Sequence, residues 1–301
     1  TEWSLLWTSQ VTSELLSTMT KAQRVNHFPG SENLGRKDLL IRHLSRLHRH
    51  FGHDCKVAPT GFVLPKDARA WKNNYLNAPD TLWIWKPCNG RCGRRISILC
   101  PSSSAEEAGK AEELSQKRGV IQKYIADPLL IEGYKFDLRI YVVVTSFDPL
   151  KVYLNTEGLV RLATAKYTPD IKTLGTRTMH LTNYSINKYS ENFVPNKDKS
   201  NGDAGDAEGG LPSKWSFQAS NDASGGPREN LSSRCFEIYG FDVMTDRALQ
   251  PWLLEVNIYP SLRTDSPLDK RIKTELVADT LTLIGLQPPP DSAFGLASRL
   301  G

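Results

Sequence analysis

The stretch "GFDVMTDRALQPWLLEVN", Gly240 to Asn257, reads as buried core yet carries Asp242, Glu255 and Asn257 among its apolar residues. Two β-like runs flank the turn signal Thr245-Asp246-Arg247-Ala248, which predicts a hairpin. Glu255 and Asn257 are two apart and so share one face of a strand. Folding about the turn brings Asp242 roughly opposite Glu255. Two carboxylates held that close repel each other unless a cation or a proton sits between them. Hard cations such as Mg²⁺ take oxygen ligands of this kind, and Asp242, Glu255 and Asn257 offer three such donors.

Working outward, "YKFDLRIY" alternates Lys135, Asp137 and Arg139 with Phe136 and Leu138, which puts the three charges on one face of a strand. The continuation Ile140 to Val144 is wholly apolar, so the strand is expected to be central. Charges on a central strand need a ligand or partners. In "WKPCNGRCGRRI" a strand ends at Lys86 and Pro87 and a small, basic loop follows. Such loops lay backbone N–H groups and an ammonium against phosphates, although many loops between strands look similar. "HLTNYSIN" offers Thr182 and Asn183, for which a capping turn is the plainer reading. Arg161, in the apolar run "GLVRLAT", has the same ambiguity.

The 301 residues suit one large domain or two to three small ones, and a net charge of +5 leaves nucleic acid, an acidic protein tail and anionic lipid all open as partners. No apolar run is long enough to span a bilayer, and "TEWSLLWTSQ" lacks the basic region and apolar core of a signal peptide. The chain starts at Thr1 without Met and is expected to be cut from something longer. Five cysteines, at 55, 88, 92, 100 and 235, lack paired spacing and fit a reducing compartment; Cys88 and Cys92 have no second pair to complete a zinc site.

The clearest helix is "RKDLLIRHLSRLHRHFG", Arg36 to Gly52, with an apolar stripe of Leu39, Leu40, Leu44 and Leu47. Arg42, Arg46 and Arg49 crowd its polar face; His48 and His50 point different ways and make a poor metal pair. A solvated basic face is the plainer reading, and a docking surface for an acidic partner the alternative. Strands are expected at "TGFVLPKD", "LWIWKP", "RISIL" and Gly119 to Ile125, with a helix near Trp71. "FDLRIYVVVTSF" is expected to pair with "LKVYLNTEGLVRLAT" as one hairpin turning near Asp148-Pro149. This is an α+β pattern with antiparallel sheets. Residues 196–233, dense in Gly, Ser, Asp, Asn and Pro, read as a disordered insertion or a broken segment.

The order of these blocks resembles the tubulin tyrosine ligase-like family across most of the chain. The resemblance runs through "WSLLWT", "VNHFPGS", "RKDLL", "WIWKP", "KFDLRIYVVVTSFDPLKVYL", "GLVRLAT", "HLTNYSIN", "KWS", "CFEIYGFDV" and "PWLLEVN". "DPLKVYL", "HLTNYSINK" and "SPLDKRIK" are most similar to the polyglutamylase branch. The resemblance implies an ATP-grasp fold with a small N-terminal domain: 1–66 N-terminal, 67–131 central lobe, 132–290 C-terminal lobe, and 291–301 a tail. It implies a ligase that phosphorylates a carboxylate with ATP and lets an amine attack the acyl phosphate. Glutamate would thereby be added to glutamate side chains of tubulin tails. ATP and Mg²⁺ are the implied cofactors. Microtubule acidic tails and free L-glutamate are the implied partners, with no nucleic acid, no membrane and a monomeric state. Cytoplasm and cytoskeleton, with cilium, flagellum or basal body, are the implied locations.

By the same resemblance Lys86, Cys92 and Gly93 cover the phosphates, and Gln122, Lys123, Tyr124 and Ile125 meet adenine. Lys135, Phe136 and Asp137, with Thr182 and Asn183, approach the nucleotide; Arg139 and Glu255 are catalytic, and Asp242, Glu255 and Asn257 hold Mg²⁺. Arg161, Tyr184, Lys214 and Lys273 receive the incoming amino acid. Three departures stand against the pattern. Arg95 replaces a second loop glycine, Tyr259 replaces a small residue, and a pair of helices is missing between "KWS" and "CFEIYGFD", which is expected to expose apolar surface on the C-terminal lobe. A glycine or tyrosine ligase, and a catalytically impaired tubulin-binding pseudoenzyme, are the alternatives.

Overall fold

The turn in the quoted stretch closes one step later than its sequence suggests. Asp246 N–H donates to Gln250 O at 3.1 Å, and Gln250 N–H donates to Asp246 Oδ1 at 2.9 Å. Asp246 to Gln250 therefore forms the loop, with Leu249 in the left-handed region at φ +62. The computed structural model describes residues 3–88, 93, 95–101, 105–195, 214–218 and 234–286. The tail at 291–301 and most of 196–233 lie outside the described residues.

In chain order the first elements are β1 (Leu5–Leu6), α1 (Ser13–Thr18), β2 (Arg24–Val25), α2 (Glu32–Gly35) and α3 (Lys37–Phe51). Next come β3 (Gly61–Leu64), α4 (Ala68–Asn77), β4 (Trp83–Pro87), β5 (Ser97–Leu99), α5 (Ala105–Gln116) and β6 (Gly119–Lys123). The remainder holds β7 (Leu130–Ile131), β8 (Tyr134–Phe147), β9 (Leu150–Leu154), β10 (Glu157–Lys166), α6 (Arg177–His180), α7 (Tyr184–Asn187), β11 (Lys214–Gln218), β12 (Glu237–Thr245), β13 (Pro251–Asn257) and α8 (Pro267–Leu283).

Two antiparallel sheets dominate. The smaller has the order β3-β6-β4-β5. β3 lies before residue 66, yet it is hydrogen-bonded to β6 and so belongs to the same sheet as the central segment. An aromatic core of Trp71, Tyr75, Trp83 and Trp85 joins this sheet to α4 and α5. The larger sheet has the order β11-β10-β8-β12-β13, with β7 and β9 also on β8. One of its faces packs Tyr141, Val143 and Ile238 against Leu268, Ile272 and Leu276 of α8. The other packs Val142, Val144, Tyr239 and Val256 against Leu40 of α3. Burial of these side chains contributes roughly 1.5–3 kcal/mol each.

The long β run is central, as its apolar continuation requires, but its single expected partner is two strands. β9 pairs with Val142 to Phe147, while β10 pairs with Tyr134 to Arg139. Asn155 makes the break: its N–H reaches Tyr141 O at 2.9 Å and its Nδ2 donates to Glu157 O at 2.7 Å. α3 ends at Gly52, whose φ of +73 suits a glycine. Its buried stripe is Leu40 and Ile41, with Leu44 partly buried; Leu47 is 40% exposed, because the last two turns project past the sheets. Within the span read as disordered, β11 is an ordered strand. Its backbone pairs with the β10 edge from Arg161↔Lys214 to Glu157↔Gln218, so edge pairing outweighs composition at this point.

Candidate active site

The larger sheet lines up charged residues across neighbouring strands. In register, Lys214 of β11 faces Arg161 of β10, and Arg161 faces Asp137 of β8. Two residues along, Arg139 faces Asp242 of β12, which faces Glu255 of β13. Arg161 binds Asp137 with a two-pronged contact at 2.6 and 2.7 Å and reaches Asp242 Oδ2 at 2.7 Å. Arg139 Nε donates to Asp242 Oδ1 at 2.5 Å, and its Nη2 donates to Oδ2 at 3.2 Å. Thr182 donates to Asp137 Oδ2 at 2.6 Å. Gly240 makes room for this layer, since a Cβ there would lie 3.0 Å from Arg139 Cδ.

The repulsion anticipated between Asp242 and Glu255 is thus met first by two guanidinium groups. Burial alone would raise the Asp242 carboxyl, but Arg161 and Arg139 more than reverse this and hold it well below the ordinary carboxylate range. Glu255 is in a different setting: Lys37, in the first turn of α3, contacts Oε2 at 3.2 Å. Asn257 Nδ2 donates to Gly240 O at 3.2 Å and to Glu255 Oε1 at 3.5 Å, which leaves its Oδ1 as an acceptor. Asp242 Oδ1 accepts one bond and retains a second lone pair. Among the described residues no group of three His, Cys, Asp or Glu side chains converges; two carboxylates and an amide are the oxygens that could face a cation here. Those hard oxygens fit Mg²⁺.

Two lysines lie beside this layer without carboxylate partners among the described residues. Lys135 is 2% exposed; its ammonium donates to Tyr124 OH at 2.7 Å and lies 4.1 Å from that ring's centre. Burial pushes its pKa down to about 7, against a smaller opposing pull from Asp137. Lys86 donates to Gln122 Oε1 at 3.0 Å, and burial pushes it to about 8, although Glu255 opposes this. Lys135, which is buried, and Lys86, which is half-buried, are held by neutral oxygens and keep an electrostatic demand that a polyanion such as a triphosphate would meet.

Gly93, expected to cover phosphates, lies beside Asn183 and Arg177. Its carbonyl accepts from Arg177 Nη2 at 2.6 Å, and at φ +69 a Cβ would sit 2.7 Å from Asn183 Oδ1. Arg95 holds φ +58, a left-handed conformation that a glycine would adopt without strain. Cys92 lies outside the described residues. Phe136 does not join the site: it packs with Val160 and Leu162 on the opposite face. Lys123 is exposed, and Ile125 follows the end of β6.

On the α8 side, Lys214 and Lys273 share one carboxylate, Asp269, each at 2.8 Å. Tyr184 is placed under Lys214, whose ammonium lies 4.1 Å from the ring centre. Asp269 is 0% exposed, and burial would raise it, but the two lysines lower it below the ordinary range. Asp269 was not read from the sequence as a site residue. Its available signal was the cap in "SPLD", where Ser266 accepts from Asp269 N–H at 3.1 Å. His180 was likewise missed. Its Nδ1 lies 2.9 Å from Tyr124 OH, and burial together with Lys135 lowers its pKa. Lys37, placed by the start of a helix, carried no signal of its partner.

The family model described as "Tubulin-tyrosine ligase family" matches residues 15–209 and 211–293. The chain belongs to that family. Its fold is accordingly the ATP-grasp type of α+β architecture, with the two sheets described above. Among similar proteins of this ligase family, tubulin polyglutamylase TTLL6 of Mus musculus is 39% identical over 320 residues, covering 95% of this chain and 37% of its own. Tubulin monoglutamylase TTLL4 of Homo sapiens is 36% identical over 316 residues, covering 96% of this chain and 25% of its own. Tubulin polyglutamylase TTLL5 of Homo sapiens is 36% identical, covering 95% and 24%. The chain thus spans about a quarter to a third of the length of these relatives. Among the described residues no helix is long and apolar enough to cross a membrane.

Proposed function

We propose that this chain carries the catalytic core of an ATP-dependent ligase that adds glutamate to glutamate side chains of tubulin C-terminal tails. The observation that carries the reading is the pairing of two lysines held by neutral oxygens, half-buried Lys86 and buried Lys135, with the Asp242, Glu255 and Asn257 oxygen set. The similar proteins are named glutamylases, which favours glutamate as the donated amino acid. Bound Mg²⁺·ATP supplies the phosphoryl group that turns a carboxylate into an acyl donor, together with counter-charge for the phosphates.

In this reading Lys86, Lys135 and the Gly93 loop hold the phosphates, and Asp242, Glu255 and Asn257 hold the metal. Gln122, Lys123, Tyr124 and Ile125 border the base, while Thr182 and Asn183 close over the nucleotide. Arg139, held by Asp242, would stabilise negative charge that builds up during transfer. Arg161, Tyr184, Lys214 and Lys273 receive the free glutamate. Glutamate brings two carboxylates, each of which needs a cationic partner once water is excluded. Lys214 and Lys273 both contact Asp269 from one side and bring two ammonium groups to the place where the substrate carboxylates would lie. Glycine has a single carboxylate and would use less of this charge; tyrosine would need an apolar slot. The protein acts as a monomer in the cytoplasm on the cytoskeleton, including that of cilia, flagella or basal bodies.

The test is the mass added to a tubulin tail peptide by Mg²⁺·ATP and a mixture of glutamate, glycine and tyrosine. Glutamyl increments support the reading; glycyl or tyrosyl increments overturn it. A second reading, a tubulin-binding pseudoenzyme, is favoured by Arg95 in a left-handed conformation within the phosphate loop. ATP bound without any increment would select it.

A further inference from the structure

A groove of about 540 Å³ runs between α3 and the segment from Cys55 to Ala70. Cations stand on both sides. Arg42, Arg46 and Arg49 come from the helix, and Lys56 and Lys66 from the opposite wall. Among the described residues none of the five has an ion-pair partner. The carboxylate in the lining, Asp67, is already engaged, accepting from Val63 N–H at 2.9 Å. Favourable interaction with the helix C-terminus accounts for Arg49 but not for Arg42 in mid-helix, nor for the two lysines off the helix.

We infer that this groove binds an acidic polypeptide segment in extended form. Arg42, Arg46 and Arg49 are spaced four and three residues apart and form one stripe. Four residues of helix rise about 6 Å. An extended chain sets every second side chain about 6.8 Å apart on one face, close to the rise from Arg42 to Arg46, so alternate carboxylates suit this pair, with Arg49 one turn on. Ile41, Leu44 and Pro59 add apolar walls for the methylenes of glutamate side chains. Phe62, the phenyl ring among the described lining residues, already packs near Trp83 at 5.9 Å between centres, so the lining is cationic rather than a stacking platform. The helix also starts at the site, since Lys37 in its first turn contacts Glu255. From Lys37 to Arg49 the rise is about 18 Å, the reach of five to six extended residues. The choice of occupant rests on the ligase reading, because its polypeptide substrate is acidic and becomes more so with each glutamate added.

The experiment measures binding without nucleotide, so its failure is separable from failure of the ligase reading. A fluorescent Glu-rich tail peptide and its Gln-substituted counterpart are titrated by anisotropy across a salt series. The Glu-rich peptide is expected to bind at least tenfold more tightly, with the advantage shrinking as salt rises. The Arg42→Glu, Arg46→Glu, Arg49→Glu variant is expected to lose that advantage while Mg²⁺·ATP binding is retained. Lys56→Glu with Lys66→Glu gives an independent check from the other wall, should the helix variant fold poorly. Unchanged affinity in both variants overturns the inference. So does tighter binding of a DNA duplex or of anionic vesicles than of the acidic peptide.

Discussion

Two groups of buried charge sit side by side in this protein and are held in opposite ways. In the larger sheet, Asp137, Arg139, Arg161 and Asp242 satisfy one another with contacts of 2.5 to 3.2 Å. Next to them, Lys86 and Lys135 rest on a glutamine and a tyrosine hydroxyl and have depressed pKa values. The first group has balanced its charge within the fold. The second has left part of the balance to a ligand. A buried ion network is therefore expected to matter for stability, and a buried uncompensated cation for binding.

The largest effect should come from opening the balanced group. Arg161→Met leaves buried Asp137 without its guanidinium and Asp242 with Arg139 alone, and breaking such a network costs about 3–5 kcal/mol. A thermal melt showing no loss of stability would erase the distinction. Glu255→Gln should leave the melt nearly unchanged but lower ligation about 10²–10³-fold, because one charged oxygen at the metal strand is lost. Turnover equal to that of the parent would remove Glu255 from the site. Lys135→Met should weaken Mg²⁺·ATP by about 1.5–3 kcal/mol, the value of a charged hydrogen bond, in calorimetry. The melt of the ligand-free form should hold or improve.

The lysines also give the comparison a pH signature. Lys135 has an ordinary pKa of 10.5 and a folded value of about 7, so between these limits the unfolded chain binds more protons than the folded one. Stability of the ligand-free protein should therefore rise from pH 7 to pH 9, by up to about 1.4 kcal/mol per unit for each such lysine. Phosphates favour the charged ammonium, so ATP binding takes up a proton and its affinity should fall over the same interval. Parallel trends in the two measurements would contradict the assignment. The smallest effect is expected from Arg95→Gly, which relieves left-handed strain of about 1 kcal/mol; an unchanged or lower melting temperature would count against it.

Local periodicity made some of this legible in advance. The alternation of Lys135, Asp137 and Arg139, the hairpin register of Asp242 with Glu255, and the stop at Gly52 all follow from spacing within a few residues. Partners from distant segments were harder. Asp269 reads as a helix cap until β11 brings Lys214 to it, and His180 reads as part of a turn until Tyr124 arrives from the other sheet. The break at Asn155 had no Gly or Pro to announce it, because a side-chain amide rather than a backbone conformation ends β9. Ile41 rather than Leu47 completes the stripe of α3, since periodicity marks a face but not how far along it the neighbouring sheet extends.

The contact between Lys37 and Glu255 makes an ammonium and a dication rivals for the same carboxylate. If Glu255 holds a metal ion as proposed, that ion would repel the ammonium and loosen the start of α3. Thermodynamic reciprocity then requires that whatever draws this helix away from β13 strengthens the metal by the same free energy. A polypeptide seated against the arginines farther along α3 would in this way report its presence to the metal strand without touching it.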